Sequence, residues 1–503
     1  MNSKLHNIPM PKGFTLSDDR PICLAEGWKI EGEGISASVL ALYEKRLHLK
    51  KDGQKTIVLN IKDMAEESYR IDLEKDCIRV DGGSEQALRY ALYTLLDTSK
   101  GLKLPTGQII DQPLLNMRGY MLNVHTVEHM DIQELLIMVR WAAEAKLNTL
   151  LIEYGTRFPY KKYPGVCSPF ALSEEEVRLL VSTAENYGME VIPLVQTFGH
   201  LDHILKEPAL ADIRETQDNP TQLCPRNPKS MDYIKGMIDE YCTLHPNSRY
   251  FHLGGDETRQ LGQCPECTRF VRENGIARLY SDLMNQVIDY ICQKGMTPLI
   301  YDDMLCAHPE TMQYLDKRAV IVYWDYWCVS PQVPHLIARY GDAPVYTYDK
   351  RWEDGTWEHD ASDVAKWVLE VFGEGGCEDV EKALGEAFMR EYRDYLGDQF
   401  PKYFRAFPYL EYYMDHGFRV IGMPTSLGNT DNYLGMPNQA RFTGNVRICC
   451  ERMAEAKAMG VITSAWHDFP SPVYPLGIST AGHYSWGLAE YVSSVPDWRT
   501  DKE

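Results

Sequence analysis

Two adjacent acidic residues follow a pair of glycines in the stretch YFHLGGDETR, residues 250–259. The apolar residues that open this stretch are typical of a strand. The glycines remove side chains at its end, where another group must come close. Asp256 and Glu257 then place two carboxyl groups side by side. Two interpretations are open: a catalytic pair, or acids at the start of a helix, where the helix dipole would stabilise them.

The adjacency of the two acids restricts the chemistry that they could perform. A glycosidase normally holds two carboxyl groups on opposite sides of the scissile bond, whereas neighbouring residues of a strand point to opposite faces. Beyond the last ladder bond, Asp256 and Glu257 could reach one pocket and do different work there. This arrangement suits a reaction in which the 2-acetamido group of the substrate is the nucleophile. One acid would protonate the leaving oxygen, and the other would hold the acetamido group.

Alternating strand and helix patterns from about residue 115 predict the element that positions these acids. The expected strands lie in MRGYMLNV, NTLLIEYG, MEVIPLVQTFGH, RYFHLGGDE, TPLIYDDM, AVIVYWDYW, FRVIGMPTS and GVITSAWHDF. Eight such units favour an α/β fold of the (β/α)8 TIM barrel type over an open sheet. We assign residues 113–503 to this barrel, with a helical insertion near 350–410 that does not fit the repeat.

Residues 1–112 differ from the barrel and predict a small α+β domain that precedes it. Short alternating runs in residues 38–61 and 67–83 predict strands and hairpins. The segment SEQALRYALYTLLDTS carries apolar residues at helical spacing, with Ser84 as a candidate N-cap. The segment LPTGQIIDQP, residues 104–113, is expected to be the connector to the barrel.

The bulk composition excludes several classes of partner. The formal net charge is -20, from 72 acidic and 52 basic residues, which argues against binding to nucleic acid or to an anionic membrane. We find no signal-peptide pattern and no apolar run of about 18 residues that could span a membrane. The 13 cysteines are an odd number, which without a secretion signal indicates reduced thiols and a cytoplasmic location.

The ends of the expected barrel strands are rich in polar and aromatic residues. Active sites of TIM barrels lie at the carboxyl ends of the strands. The residues expected there are Glu153, His200, Asp256, Glu257, Tyr301, Asp302, Asp303, Trp324, Asp325, Tyr326, Trp327, Trp466, His467 and Asp468, and Arg118 opens the first strand. Their convergence on one barrel mouth indicates a binding site.

The stretch HLGGDE, residues 252–257, resembles the signature of glycoside hydrolase family 20, the β-N-acetylhexosaminidases. RYALYTLLD is similar to part of that family's small N-terminal domain, and MRGYMLNV, VIPLVQTFGH and IYDDM are similar to its first, third and fifth barrel strands. The resemblance implies a retaining exo-acting enzyme that works through an oxazolinium intermediate and needs no cofactor. Its partner would be an oligosaccharide or glycoconjugate ending in β-linked N-acetylglucosamine or N-acetylgalactosamine. A homodimer is left open.

The resemblance also implies a role for each candidate residue. Glu257 would be the general acid and then the base for water, and Asp256 would orient the acetamido N–H and stabilise the oxazolinium charge. Arg118 and Glu153 are expected at the 3- or 4-hydroxyl of the sugar, Asp468 at distal hydroxyls, and His200 beside the acid pair. Tyr301, Trp324 and Trp466 would form a wall around the acetamido methyl and the sugar face, with Asp303 behind that wall. Asp431 and Tyr433 are expected at the acetamido oxygen.

Structural roles are the alternatives for several of these residues. Arg118 could form an ion pair, His200 could be a hydrogen-bonded structural histidine, and the tryptophans could be core residues. The sequence also departs from the family pattern, which usually reads Arg-Gly-x-x-x-Asp in the first strand. Asn123 replaces that acid, and Tyr301 stands where tryptophan is common. We interpret these differences as features of a divergent branch.

Two other functions compete with a hexosaminidase. A non-catalytic sugar-binding barrel would have no use for a proton donor such as Glu257. A metal-dependent barrel hydrolase usually carries His-x-His in its first strand, whereas this chain has NVHT with His125 alone. The fold by itself does not choose among these functions.

The motif CPEC, from Cys264 to Cys267, is half of a zinc site. Cys224, in QLCPRNP, could supply a third ligand from the loop after the third strand. No second CxxC motif is present, so free thiols and a small structural zinc site both stay open, and no metal is assigned from the sequence.

Overall fold

A computed structural model shows the fold of the chain. It describes residues 9–25, 27–49, 53–99, 102–125, 127–326, 328–333, 336–338, 346–348, 390, 393–398, 404–428, 438–466 and 473–488. The chain forms two compact units. Unit 1 comprises residues 1–118, 141–147 and 478–503, and unit 2 comprises residues 119–140 and 148–477.

Unit 1 is built around a six-stranded sheet. Its strands are β1 (Gly13–Cys23), β2 (Trp28–Glu31), β3 (Lys55–Ile61), β4 (Tyr69–Leu73), β5 (Cys77–Gly82) and β6 (Lys103–Asp111), in the order β1-β6-β4-β5-β3-β2. The strand pairs β2–β3 and β3–β5 are parallel, and the remaining pairs are antiparallel. Helices α1 (Ala37–Arg46) and α2 (Glu85–Thr98) belong to the same unit, and the Ser84 hydroxyl caps α2 by accepting from the Ala87 N–H. This architecture agrees with the expected α+β domain.

Two details of the expected N-terminal domain were wrong. Residues 37–46 form helix α1 instead of a strand, because Val39, Tyr43 and Leu47 recur at a spacing of four and are all buried on one side. The segment expected to be a connector forms strand β6, which pairs with both β1 and β4. Its glycine and proline resemble loop residues, but the pairing on both sides determines its structure.

The two units divide the chain differently from the boundary expected at residue 112. Unit 1 includes residues 141–147 and 478–503, which are distant in sequence. They supply Lys146 and Trp486 to a buried cluster around Asp111. Asp111 Oδ2 accepts hydrogen bonds from the Tyr69 hydroxyl at 2.6 Å, from Trp486 Nε1 at 2.8 Å and from Lys146 Nζ at 3.2 Å.

Asp111→Ala should lower the free energy of unfolding by about 3–5 kcal/mol, because it leaves the Lys146 ammonium buried without its carboxylate. The side chains of Asp111 and Lys146 are 0% and 1% exposed. Urea-induced unfolding measures the effect. Asp76→Ala, at an exposed acid of the same unit, should change the unfolding free energy by less than about 0.5 kcal/mol. Equal midpoints for the two variants would contradict the expectation.

Unit 2 contains the barrel, whose strands in the described part of the chain are β7 (Met117–Asn123), β8 (Thr149–Glu153), β9 (Glu190–Leu194), β10 (Tyr250–His252), β11 (Thr297–Tyr301), β12 (Val320–Trp324), β17 (Arg419–Met423) and β19 (Gly460–Ala465). They follow one another in this order, and a parallel pairing of β17 with β19 closes the ring. The expectation of an eight-stranded parallel TIM barrel is confirmed. The barrel strands are almost wholly buried, which explains their continuous apolar runs.

Short strands and helices connect the barrel strands. The short strands are β13 (Gln332–Val333), β14 (Leu336–Ala338), β15 (Tyr346–Tyr348), β16 (Phe404–Arg405) and β18 (Thr425–Leu427). The other α-helices within the described ranges are α3 (Ile132–Glu144), α4 (Glu174–Asn186), α5 (Asp202–Leu205), α6 (Pro228–Leu244), α7 (Pro265–Asn274), α8 (Ile276–Gln293), α9 (Asp303–Ala307), α10 (Leu410–Asp415), α11 (Gln439–Glu455) and α12 (Tyr474–Trp486). Most of the insertion expected near 350–410 lies outside the described residues. Within the described ranges, none of the helices combines the length and apolar character needed to cross a membrane.

Candidate active site

The glycines after β10 turn the backbone so that both acids reach one place. Gly254 and Gly255 have φ values of +62° and +90°, which residues with a side chain rarely adopt. A Cβ at Gly254 would lie 1.9 Å from Gln196 Oε1, so any side chain there would collide with the loop after β9. Glu257 itself has a φ of +46°, an uncommon conformation for a residue with a side chain. Asp256 and Glu257 therefore leave the alternating pattern of the strand.

The His200 imidazole contacts both acids. Its Nε2 atom lies 3.3 Å from Asp256 Oδ2 and 3.4 Å from Glu257 Oε2. The negative charge of Asp256 is the largest cause that raises the pKa of His200 to about 10, and Glu257 and Glu153 act in the same direction against the effect of burial. The imidazole is therefore a cation near neutral pH, and it contacts both acids. The expected position of His200 beside the acid pair agrees with this geometry.

The His200 cation predicts a pH-dependent stability. The pKa in the folded protein, about 10, lies above the ordinary value of 6.5. The stabilisation is therefore fully present below about pH 6.5 and is lost as the pH rises through about 10. The Tm difference between the parent and His200→Gln should shrink over this range, whereas the exposed His129→Gln should show no such trend. A difference that stays constant or widens between pH 6.5 and 10 would refute this interpretation.

Each acid has a distinct environment. Asp256 is 8% exposed, and its Oδ1 atom is buried without a hydrogen-bond partner among the described residues. Glu257 is more open: its Oε1 accepts from Arg259 Nη2 at 2.9 Å, and about a third of its side chain is exposed. A buried acceptor suits a fixed contact to a substrate N–H, and an accessible carboxyl suits proton exchange with water.

The neighbouring acids Asp302 and Asp303 support different parts of the site. Asp303 Oδ2 accepts the Glu257 backbone N–H at 2.6 Å, so it holds the loop of the acid pair. Burial, followed by the charge of Asp256, raises the pKa of Asp303 well above its usual range. Asp302 instead accepts the Trp324 N–H at 3.1 Å and the Tyr413 hydroxyl at 3.0 Å. The role expected for Asp303, behind the aromatic wall, thus belongs to Asp302.

Glu153 and Gln196 lie at the ends of β8 and β9. Gln196 Nε2 contacts Glu153 Oε1 at 3.5 Å, and Gln196 Oε1 is buried without a partner in the described structure. Burial raises the pKa of Glu153 to about 7, and the charges of His200 and Asp256 act on it in opposite directions. Glu153 therefore shares the electrostatic environment of the acid pair. Gln196 was missed, although an amide directly after a buried strand is a detectable signal.

Aromatic side chains surround the acids. Tyr301 is 1% exposed and packs against the neutral, buried His252 ring at 4.2 Å, and its hydroxyl has no partner among the described atoms. Tyr326, which was expected at the barrel mouth without an assigned role, connects the two expected tryptophans. Its ring lies 5.2 Å from that of Trp324, and its hydroxyl accepts from Trp466 Nε1 at 2.7 Å. The charge of Asp256 acts on the pKa of both Tyr301 and Tyr326, which places these two rings near the acid pair, and Tyr326 brings Trp324 and Trp466 with it.

Arg118 does not fit the role expected for it in sugar binding. It is fully buried in unit 1, where its guanidinium forms an ion pair with Glu67 at 2.7 Å. The same group donates to the Tyr90 hydroxyl and to the backbone carbonyls of Leu115, Asn116 and Lys146. Every nitrogen of the guanidinium is thus engaged within unit 1. Arg118 opens β7, and active sites of TIM barrels lie at the opposite ends of the strands, so the alternative of a structural ion pair is correct.

Trp327 and His467, expected at the barrel mouth, lie outside the described residues, as do three residues with an expected sugar contact: Asp431, Tyr433 and Asp468. Their expected contacts with the acetamido oxygen and with distal hydroxyls stay predictions. The described part of the site contains an acid pair that shares one imidazolium, a buried acceptor and an aromatic wall. This set can bind an amide N–H, donate a proton and cover an apolar methyl group.

Comparisons with known proteins agree with this chemistry. Residues 134–342 match the family described as "Glycosyl hydrolase family 20, catalytic domain". "Hexosaminidase D" from Bos taurus is 35% identical over 187 residues, which cover 36% of this chain and 54% of that protein. The protein of the same name from Homo sapiens is 34% identical over 187 residues, 36% of this chain and 38% of that protein. The chain thus spans less than two thirds of the length of these relatives.

The similarity of structure extends further along the chain than the similarity of sequence. The crystal structure of a β-N-acetylhexosaminidase from Bacteroides fragilis NCTC 9343 matches with a TM-score of 0.66 at 18% identity, covering 96% of this chain and 91% of that one. At this identity the match shows the fold. The match to the glycosyl hydrolase family 20 catalytic domain extends over residues 134–342, and all of these except residues 141–147 belong to unit 2.

Proposed function

We propose that the protein is a retaining exo-β-N-acetylhexosaminidase that removes a terminal β-linked N-acetylglucosamine or N-acetylgalactosamine by substrate-assisted catalysis. The observation that carries this proposal is the geometry of the acid pair. Asp256 and Glu257 are neighbours in the chain and both contact the His200 imidazole, so the two acids meet at one end of the site. Their environments differ, since Asp256 Oδ1 is buried without a partner among the described residues and about a third of the Glu257 side chain is exposed, which supports different work for each acid.

In the first step the substrate supplies the nucleophile. The acetamido carbonyl oxygen forms a bond to the anomeric carbon, and the bond between that carbon and the leaving oxygen breaks. The electron pair goes to the leaving oxygen, which takes the proton of the Glu257 carboxyl group. Asp256 accepts the acetamido N–H through its otherwise unpartnered Oδ1, and its negative charge stabilises the oxazolinium cation.

In the second step water opens the oxazolinium ring. The water oxygen attacks the anomeric carbon, the bond to the acetamido oxygen breaks, and the Glu257 carboxylate takes a proton from the water. Two displacements at the same carbon retain the β configuration. The exposed third of the Glu257 side chain provides the access to water that this step requires.

His200 and the aromatic residues position these groups. His200 contacts both acids and so keeps them in one place, and Asp303 fixes the Glu257 backbone. Trp324 and Trp466, connected through Tyr326, supply apolar surface for the acetamido methyl group and the sugar face.

The test of this function is the choice of substrate. We would assay 4-nitrophenyl β-glycosides of N-acetylglucosamine, N-acetylgalactosamine and glucose. The proposal expects cleavage of one or both acetamido sugars and little cleavage of the glucoside. Equal cleavage of the glucoside would refute the mechanism, and binding of N-acetylglucosamine without any cleavage would favour the non-catalytic sugar-binding barrel.

The proposal also covers the binding partner, the cellular location and the oligomeric state of the enzyme. The net charge of -20 supports a glycan partner over nucleic acid or an anionic membrane surface. The described cysteines form no disulfide bond with one another, which supports a reducing compartment such as the cytoplasm. Cell fractionation tests the location, and light scattering tests whether the protein forms a homodimer.

A further inference from the structure

Three cysteine side chains meet outside the active site of unit 2. Cys224 Sγ lies 3.5 Å from Cys264 Sγ and 3.6 Å from Cys267 Sγ. Cys264 and Cys267 come from the start of helix α7, and Cys224 comes from the segment between α5 and α6. These distances are far longer than the roughly 2.05 Å of a disulfide bond. They are close to the S···S separation of about 3.8 Å in a tetrahedral site with Zn–S bonds of about 2.3 Å.

Glu215 supplies a fourth donor atom. One oxygen from Glu215 and the three sulfur atoms lie within 4.8 Å of one another. Glu215 is only 3% exposed, and its Oε1 accepts the Cys264 backbone N–H at 2.9 Å. Its Oε2 atom is buried without a hydrogen-bond partner in the described structure. A buried carboxylate oxygen without a donor is costly, and a cation beside it would remove that cost.

We propose that Cys224, Cys264, Cys267 and Glu215 bind a structural zinc ion. The Cys-x-x-Cys spacing at a helix start, with a third thiolate and a carboxylate from another segment, gives the four-ligand closed set of a structural zinc site. Thiolate-rich tetrahedral sets select zinc over magnesium or calcium, which require oxygen ligands. The backbone geometry also supports a zinc site, because the Cys267 N–H donates to Cys264 Sγ at 3.3 Å and orients that sulfur.

The zinc ion would connect two loops that carry active-site residues. Next to Cys224, the Leu223 N–H donates to the Phe198 carbonyl at 3.2 Å, two residues before His200. On the other side, Cys264 follows the loop that begins with Asp256 and Glu257. The Gln260 N–H also donates to Gln222 Oε1 across the two segments, at 3.0 Å. The metal therefore fixes the loop after β9 to the loop after β10.

The experiment is metal analysis of the full chain purified without chelator. Inductively coupled plasma mass spectrometry should find about one zinc ion per chain. Cys267→Ser should lose most of that zinc, whereas Cys292→Ser, at a partly exposed cysteine of α8, should keep it. Removal of zinc from the parent by a chelator should lower the Tm, because the metal binds the folded state.

Cobalt substitution makes the test independent of how the variants fold. The parent chain loaded with Co²⁺ should show a thiolate-to-cobalt charge-transfer absorption and the visible bands of tetrahedral cobalt. Glu215→Gln should shift the visible bands and keep the charge-transfer absorption. A parent chain that is free of zinc and gives no charge-transfer band would overturn the proposal, as would a disulfide bond among Cys224, Cys264 and Cys267 found by mass spectrometry of the native protein.

Discussion

Glu257→Gln should lower kcat for a β-linked disaccharide substrate by about 10²- to 10⁴-fold, the usual contribution of general acid–base catalysis. The amide keeps the size of the side chain and can still face His200, but it cannot donate a proton to the leaving oxygen. The KM should change little, because Glu257 contributes to the transition state more than to binding of the substrate. This is the largest effect that we expect from a single substitution.

The leaving group provides a second measurement of the same residue. A 4-nitrophenolate leaves without protonation. In Glu257→Gln, the rate constant of the first step for a 4-nitrophenyl glycoside should therefore fall much less than kcat for the disaccharide. The exposed Glu273→Gln on helix α7 is the matched control and should behave as the parent. An equal loss for both substrates would mean that Glu257 does not act as the general acid.

Asp256→Asn should lower kcat for acetamido sugars by about 10²- to 10³-fold, the magnitude seen when one preorganised electrostatic contact to a transition state is removed. The amide is nearly isosteric, but it lacks the charge that stabilises the oxazolinium cation. It also removes the carboxylate that lies 3.3 Å from His200. Since Asp256 supplies the largest cause of the raised pKa of His200, that pKa should fall in the variant.

Two readouts separate this role from a loss of folding. The pKa of His200, followed by NMR titration, should move down towards its ordinary value in Asp256→Asn, and the Tm should show that the variant is folded. Asp218→Asn, at an exposed acid of the same unit, is the control. A variant that keeps full kcat with a shifted His200 would show that Asp256 has only a structural role.

The barrel and the acid pair could be predicted because local rules determine them. The buried parallel strands give continuous apolar runs, and the helices between them give helical spacing, so the eight units can be counted along the chain. The Gly-Gly-Asp-Glu stretch is equally local: a Cβ at Gly254 would meet Gln196, so a glycine there indicates close approach of two loops.

The roles of Arg118, Asp302 and Asp303 could not be predicted because they depend on partners that are remote in sequence. The ion pair of Arg118 requires Glu67 in the turn before β4, which no pattern near β7 indicates. Asp302 and Asp303 are adjacent, so their side chains point in different directions. The sequence does not show which of the two faces the acid pair. Only the fold shows that Asp303 meets the Glu257 N–H and that Asp302 meets the Trp324 N–H.

The substrate-assisted mechanism is tested most directly by weakening the acetamido oxygen as a nucleophile. We would measure kcat of the parent chain with 4-nitrophenyl β-glycosides whose N-acetyl group carries no, one, two or three fluorine atoms. Fluorine withdraws electrons from the carbonyl oxygen, so the mechanism predicts a steep and progressive fall in kcat along the series. A kcat that does not depend on fluorination would contradict it and would require a nucleophile supplied by the protein.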